Sequence, residues 1–258
     1  MIGIFDSGLG GLTALTKLRK FAPDTDLLYF GDTARVPYGS RSVETITKYA
    51  DEIISLLTEK GADSILAACG TVSTVALPKL KGKYSVPVSG ILEPACAAAA
   101  KATKNGKIGV IATSASVNSG AYIREISSLL PNAQVVQTAC PLFVPLVEGG
   151  FIGRDCEITR LAAQHYLAEI KEAGCDTLLL GCTHYPIIAD VIGDMLEGVT
   201  LINASEEAAR AVAASCNGGE SGKVKLFLSD RTQDMEKIMA YLGAEKDYEI
   251  EIMPLNRE

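Results

Sequence analysis

A nine-residue segment that occurs twice restricts the possible folds of this chain more than any other feature. Residues 61–69 read GADSILAAC and residues 174–182 read GCDTLLLGC. Each copy contains a polar turn, a short apolar strand and a cysteine where the strand ends. Short apolar strands of this kind are typical of buried parallel sheets, whose sites lie at the carboxyl ends of the strands. The repeat therefore predicts two related α/β units, each with a thiol at one edge of its sheet.

Two further features repeat in the same order. Residues 2–7 read IGIFDS and residues 108–113 read IGVIAT, so each is a strand that runs into polar residues. Apolar residues at helical spacing precede both cysteine strands, at Ile46, Tyr49, Ile53, Leu56 and Leu57 in the first half and at Leu161, Tyr166, Leu167 and Ile170 in the second. This order indicates a gene duplication. A pseudo-two-fold axis would then place Cys69 and Cys182 on opposite walls of one cleft.

The alternation of apolar strands with amphipathic helices predicts an α/β fold. We expect two pseudo-symmetric α/β lobes with mostly parallel sheets and an active site in the cleft between them. The first lobe would comprise residues 1–93 plus 206–258, and the second residues 94–205. A helix from Pro94 to Lys104 would open the second lobe, and Ser205 would cap the helix that leaves it. Residues 217–222 would form a flexible turn. Strands are expected at residues 2–5, 27–30, 64–68, 86–89, 107–112, 134–137, 177–181, 199–202, 223–228 and 248–253.

Composition limits the possible partners and compartment. The formal net charge of -7, without a basic cluster, argues against nucleic acid or an anionic membrane surface. No apolar run approaches the roughly 20 residues that a membrane-spanning helix needs. Residues 1–6 lack the basic region of a signal peptide, and the spacing of the seven cysteines indicates reduced thiols rather than a disulfide framework. We therefore expect a cytoplasmic protein that acts on a small molecule.

Residues 6–11, DSGLGG, form a glycine-rich turn between a strand and a helix. The dinucleotide-binding fingerprint requires a third glycine where Thr13 stands, so a nucleotide cofactor fits poorly. Asp6 and Ser7 follow the strand and could orient a substrate ammonium or a catalytic thiol. A purely structural turn is the alternative.

The repeated cysteines are the strongest candidates for chemistry. A single cysteine in an apolar strand usually packs in the core, whereas a duplicated pair at strand ends favours a function. A zinc site at Cys69, Cys182 and His184 would lack a C-x-x-C pair and a fourth ligand, and a redox pair would also be expected as C-x-x-C. His184 lies two residues after Cys182 and can share its face, where it could stabilise a thiolate or relay its proton. His165 lies in a helical run and is expected to be structural.

Two other turns carry groups that could bind a ligand. Residues 36–39 read VPYG and residues 148–150 read EGG. Either turn could equally be structural when taken alone.

Together these segments resemble glutamate racemase, a member of the aspartate/glutamate racemase superfamily. The resemblance covers nearly the whole chain and rests on Asp6-Ser7-Gly8, Val36-Pro37-Tyr38-Gly39, Ala68-Cys69, Glu148-Gly149-Gly150 and Gly181-Cys182-Thr183-His184-Tyr185-Pro186. It implies an isomerase that needs no cofactor or metal and that converts L-glutamate to D-glutamate for peptidoglycan synthesis. A homodimer is a further expectation from the resemblance.

The resemblance also implies roles for individual residues. Cys69 and Cys182 would exchange protons with the substrate, with Asp6 near Cys69 and with His184 and Glu148 near Cys182. The substrate would be held by Asp6, Ser7, Pro37, Tyr38, Gly39, Gly70, Thr71, Thr183 and His184. Backbone amides of Gly70, Thr71 and Thr183 are candidates to stabilise the charge that develops on the substrate.

One position departs from the family pattern. The family usually has an asparagine after the first cysteine, and this chain has Gly70. The glycine offers only its backbone N–H, and a lost side-chain hydrogen bond is worth about 0.5–1.5 kcal/mol. Weaker binding or a changed substrate preference could follow.

Three alternative functions stay open. They are a racemase of the aspartate or hydantoin type, a two-lobed amino-acid-binding protein without catalysis and, least favoured, a nucleotide-binding protein.

Overall fold

The structure is a computed structural model that describes residues 1–216, 221–231, 235–243 and 248–255. Strands and helices alternate along it as β1 (Ile2–Asp6), α1 (Leu12–Phe21), β2 (Leu27–Gly31), α2 (Val43–Glu59), β3 (Ser64–Ala67), α3 (Leu77–Leu80), β4 (Val88–Gly90), α4 (Leu92–Ala102), β5 (Lys107–Ala112), α5 (Ser114–Ser119), α6 (Ala121–Leu129), β6 (Gln134–Ala139), α7 (Phe143–Glu148), α8 (Glu157–Glu172), β7 (Thr177–Leu180), α9 (Ala189–Met195), β8 (Thr200–Asn203), α10 (Ala204–Ala214), β9 (Val224–Leu228), α11 (Met235–Tyr241) and β10 (Glu249–Ile252). Single helical turns lie at Tyr38–Ser40, Val72–Ala76 and Tyr185–Ile188.

The strands form two sheets, one of six strands in the order β10-β9-β2-β1-β3-β4 and one of four in the order β6-β5-β7-β8. All pairings in both sheets are parallel. The duplicated segments have the same register: Ile2 pairs with Ser64 in the first sheet, and Ile108 pairs with Thr177 in the second. The predicted α/β fold with two mostly parallel sheets is therefore confirmed.

Helices cover the sheets and explain the continuous apolar strands. All five residues of β1 and all four of β7 are buried, as expected of parallel strands that are packed on both faces. The main core is continuous across the two sheets, since it joins Leu12 and Leu15 of α1 to Ala208 of α10 and Leu179 of β7. No helix among the described residues is long and apolar enough to cross a membrane.

All ten predicted strands are present, with ends within two residues of the expected ones. Two helix starts were predicted too late. Helix α4 begins at Leu92 rather than Pro94, because a proline is tolerated within the first helical turn. Helix α10 is capped by Asn203, whose Oδ1 accepts hydrogen bonds from the amides of Ser205 and Glu206 at 3.0 and 3.2 Å. The Ser205 hydroxyl is buried instead, against α1.

The remaining predictions about organisation stay open. Within the predicted turn at 217–222, residues 217–220 lie outside the described part of the chain. The lobe boundaries near residues 93 and 205 stay a prediction.

Candidate active site

The carboxyl ends of β1 and β3 in the first sheet face the carboxyl end of β7 in the second. Asp6 is the last residue of β1, and Cys69 and Cys182 each come two residues after their strand. The Thr183 hydroxyl donates a hydrogen bond to Asp6 Oδ1 at 3.1 Å, so the two strand ends are in direct contact. The structure therefore brings the duplicated cysteine segments together in one site.

Cys69 is held as a neutral thiol. Its side chain is 4% exposed, and its Sγ donates to Ser7 Oγ at 3.7 Å. Burial, followed by the negative charge of Asp6, raises the pKa of Cys69 to about 12. The thiol therefore carries its proton at neutral pH and can donate it.

Cys182 is also buried, but its sulfur lies beside a histidine rather than beside a serine hydroxyl. Its Sγ lies 3.7 Å from His184 Nδ1, and His184 Nε2 lies 2.6 Å from Glu148 Oε1. Burial acts to lower the pKa of His184, but the contacts with Cys182 and Glu148 outweigh it and raise that pKa well above its ordinary value. Burial conversely acts to raise the pKa of Glu148, and the His184 partner lowers it. A protonated imidazole of His184 therefore lies between the Cys182 sulfur and the Glu148 carboxylate.

The glycine-rich turn at 6–11 brings the first-half backbone against this relay. The Leu9 amide donates to Glu148 Oε1 at 3.0 Å. A Cβ added to Gly8 would lie 2.4 Å from Glu148 Oε1, and one added to Gly10 would lie 2.4 Å from His184 Nδ1. The glycines therefore allow the turn to pack directly against Glu148 and His184. The sequence analysis expected them to make room for a ligand or to form a purely structural turn.

The loop at 36–39 contacts the second half of the chain, but the side chain of Tyr38 is hydrogen-bonded within the first half. The Tyr38 hydroxyl donates to Asp32, and Tyr38 is 1% exposed. Gly39 lies against Thr113, where an added Cβ would be 2.7 Å from the threonine Cβ. The Val36–Pro37 peptide is cis. A substrate contact from Pro37, Tyr38 or Gly39 would therefore come from the backbone rather than from the phenol.

Thr71 contacts a residue that the sequence analysis did not place in the site. Its Oγ1 lies 2.8 Å from Thr113 Oγ1, which in turn donates to Ser116 Oγ at 3.1 Å. In the repeat, Thr113 occupies the position of Ser7. That correspondence was the available signal for Thr113 as a residue of the site.

Thr13 stands where the dinucleotide fingerprint needs glycine, and its hydroxyl connects three parts of the structure. Its Oγ1 lies 2.7 Å from the Gly10 carbonyl, 3.2 Å from the Thr183 carbonyl and 2.9 Å from Ser205 Oγ. The side chain thus fixes the segment after Cys182 against α1 and α10.

The structure also shows how the cysteines lie relative to other possible metal ligands and to one another. Among the residues that the structure describes, no three His, Cys, Asp or Glu side chains are grouped so that they could hold a metal ion. All seven cysteines are free thiols.

Comparison with known proteins shows that this fold is that of the amino-acid racemases. A model of the Asp/Glu/Hydantoin racemase family matches residues 13–212. The glutamate racemase of Geobacter metallireducens is 49% identical over 237 residues, which cover 89% of this chain and 87% of that protein. The glutamate racemase of Aquifex aeolicus is 43% identical over 245 residues, which cover 95% and 94%.

Solved structures give the same assignment. The crystal structure of glutamate racemase isoform RacE1 from Bacillus anthracis superposes with a TM-score of 0.91 at 31% identity, over 99% of this chain and 97% of that one. The Francisella tularensis glutamate racemase in complex with D-glutamate superposes with a TM-score of 0.86 at 32% identity, over 98% and 96%. The chain therefore belongs to the Asp/Glu/hydantoin racemase family and, within it, to the glutamate racemases, which are isomerases.

Proposed function

We propose that this chain interconverts L- and D-glutamate without a cofactor, with Cys69 and Cys182 as the two proton-transfer groups. The observation that carries the proposal is that two buried thiols follow the facing ends of β3 and β7 in one site. The pKa of Cys69 is raised to about 12, so Cys69 holds a proton that it can give. Cys182 lies 3.7 Å from His184 Nδ1, and we assign to it the removal of the proton from the opposite face.

In the forward step, the Cys182 thiolate takes the α-proton from one face of the substrate. The electron pair of the broken C–H bond stays on the α-carbon and its carboxylate. The Cys69 thiol then donates its proton to the opposite face, so the configuration inverts. The enzyme is left with a Cys69 thiolate and a Cys182 thiol, which is the state that accepts the other enantiomer. Removing one such base typically costs about 10²–10⁴-fold in rate.

The surroundings of the thiols supply donors for an anionic substrate. We propose that the amides of Gly70, Thr71 and Thr183 stabilise charge on the α-carboxylate. Asp6 is buried, and burial raises its pKa above the ordinary value against the opposing effect of His184. Asp6 would orient the substrate ammonium together with the hydroxyl of Ser7. Pro37, Tyr38 and Gly39 would contribute backbone groups.

A substrate can enter only if the two halves of the chain separate. Cys69 and Cys182 are 4% and 5% exposed, and Asp6 and His184 are similarly inaccessible. We propose that the structure represents the closed form, in which water is excluded and the electrostatic interactions of the relay are strengthened.

Glutamate as the substrate follows from the relatives, two of which are described in complex with D-glutamate or L-glutamate. The test is to incubate the purified chain with L-glutamate or L-aspartate, without added cofactor, and to separate the enantiomers. We expect D-glutamate to form at a rate at least about tenfold above that of D-aspartate, because one methylene in a fitted site changes selectivity by about 10–200-fold. Faster conversion of aspartate would contradict the assignment and would make Gly70 a mark of changed specificity. Absence of conversion with every amino acid would favour a binding protein.

The wider role is part of the same proposal. D-Glutamate would serve peptidoglycan synthesis, as the family resemblance implies. The mechanism requires two reduced thiols, and a reducing compartment such as the cytoplasm maintains them.

We propose a homodimer, and an exposed apolar cluster on the second half of the chain supports it. Leu142, Phe151, Ile158 and Leu161 are 48–59% exposed and line a groove of about 470 Å³. Clusters of this kind commonly mark protein interfaces. We expect Leu161→Glu to convert the dimer to a monomer in sedimentation velocity, whereas Leu129→Glu, at an exposed leucine outside the cluster, should leave it intact. A monomeric wild type, or a Leu161→Glu variant that stays dimeric, would contradict this interface.

A further inference from the structure

The two backbone segments that carry the thiols touch each other across the site. An ideal Cβ built on Gly70 would lie 2.1 Å from the carbonyl oxygen of Gly181. Gly70 directly follows Cys69, and Gly181 directly precedes Cys182. The contact between the two halves therefore lies beside both sulfurs.

The Gly181 side of this contact is fixed. The Tyr122 hydroxyl donates to the Gly181 carbonyl at 3.0 Å, and the Gly181 amide donates to the Ile111 carbonyl at 2.8 Å. Tyr122 is fully buried. The carbonyl cannot turn away from Gly70 without losing a buried hydrogen bond, which proteins rarely leave unmade.

The Gly70 side is fixed as well. The Gly70 carbonyl accepts from Thr74 Oγ1 at 2.9 Å, and the Cys69 carbonyl accepts from the Ser73 amide and from Ser73 Oγ, each at 2.9 Å. Because hydrogen bonds hold both segments in their present conformations, we expect an atom added at position 70 to move the two halves apart.

We propose that Gly70 is a positioning residue that sets the separation of Cys69 and Cys182 in the closed protein. Its contact with the Gly181 carbonyl would be the stop at which the two halves come to rest. This inference rests on the proposed function and extends it. The sequence analysis treated Gly70 only as the loss of an asparagine side chain, whereas the geometry shows that a side chain would not fit at this separation.

A methyl group at position 70 would widen the contact by about 1 Å, since a carbon atom cannot approach a carbonyl oxygen much closer than 3.0 Å. Misplacement of reacting groups by about 1 Å can cost about 100-fold in rate. We therefore expect Gly70→Ala to lower kcat by about 100-fold, with a smaller change in KM, in both directions of the reaction. The matched control is Gly193→Ala in α9, where an added Cβ would meet only Leu201 at 3.8 Å.

A second readout does not depend on activity. N-ethylmaleimide labelling is followed by peptide mass spectrometry, with the half-buried Cys156 as an internal reference. If the stop is displaced, Cys69 and Cys182 should be labelled at least about tenfold faster in Gly70→Ala than in wild type, because the closed state is populated less. The labelling rate of Cys156 should not change. Unchanged kcat together with unchanged labelling of the two thiols would overturn the proposal.

Tyr122→Phe tests the same stop without adding volume. It removes the hydrogen bond that holds the Gly181 carbonyl, so the contact no longer fixes the separation of the two thiols, and kcat should fall by about tenfold with a smaller change in KM. If circular dichroism shows that Gly70→Ala does not fold, Tyr122→Phe becomes the test. An unaltered kcat in a folded Tyr122→Phe protein would then contradict the proposal. If the wild type racemises no amino acid, the proposed function fails, and the labelling experiment still tests the role of Gly70.

Discussion

Replacing either Cys69 or Cys182 with alanine should lower the racemisation rate by about 10⁴-fold, because each thiol serves one face of the α-carbon and water cannot enter the closed site to substitute for it. The rate is measured from the enantiomeric composition of glutamate, starting from each enantiomer in turn. Cys175→Ala is the matched control, since it converts the second nine-residue repeat at that position to the alanine of the first. It should retain the wild-type rate.

The two variants should differ in the exchange that they retain. Cys69→Ala keeps Cys182 beside its imidazolium, so one enantiomer should still exchange its α-proton with D₂O without inversion. Cys182→Ala leaves only Cys69, which serves the opposite face, so the other enantiomer should exchange instead. That exchange should be slower, because a pKa raised to about 12 makes the Cys69 thiolate scarce. Full racemisation by either variant would end the two-thiol scheme.

Replacing His184 with asparagine should lower kcat/KM by about 10³-fold, within the range typical of proton-transfer groups. The change removes the positive charge beside Cys182 and leaves Glu148 as a buried carboxylate without its main partner. Circular dichroism should confirm the fold. His165→Asn in α8 serves as the control, and sedimentation velocity should show that it keeps the wild-type oligomeric state, because His165 lines the apolar groove of the proposed interface. A His184→Asn enzyme within tenfold of wild type would show that the imidazolium is dispensable.

The pH dependence of kcat/KM should also report the protonation of His184. A raised pKa means that His184 stays protonated above the ordinary histidine value and loses its proton only as the pH rises through the higher pKa. The contact with Cys182 and the Glu148 carboxylate both raise this pKa, and Glu148→Gln removes the second, so His184 should lose its proton at lower pH. The alkaline limb of the kcat/KM profile should therefore move to lower pH in Glu148→Gln. An alkaline limb that does not move in Glu148→Gln would show that a group other than His184 causes it.

The fold could be predicted largely because its pattern is local. Apolar runs such as Thr177–Leu180 predict buried parallel strands, and the repeated segments indicate that the same unit occurs twice. Helix starts were less certain, because Asn203 and Ser205 are both suitable caps and only the packing of Ser205 against Thr13 decides between them.

The sequence indicated several residues that come together in the structure, but it did not indicate the distances between them. The order of motifs led to the thiols, His184 and Glu148, which the structure brings together. The engagement of the Tyr38 hydroxyl by Asp32 and the contact of Thr71 with Thr113 depend on how distant segments meet. The same holds for Gly70 and Gly181, whose approach across the two halves has no local signature in the sequence.

The most direct test of the two-thiol account is isotope incorporation during the first few per cent of conversion. L-Glutamate is incubated with the wild-type enzyme in D₂O, the enantiomers are separated, and deuterium at the α-carbon is measured by mass spectrometry. If Cys182 and Cys69 act on opposite faces, the D-glutamate formed should carry solvent deuterium in nearly every molecule, while the remaining L-glutamate keeps its proton. Substantial protium in the product would show that one group returns the proton that it removed, and this would contradict the account.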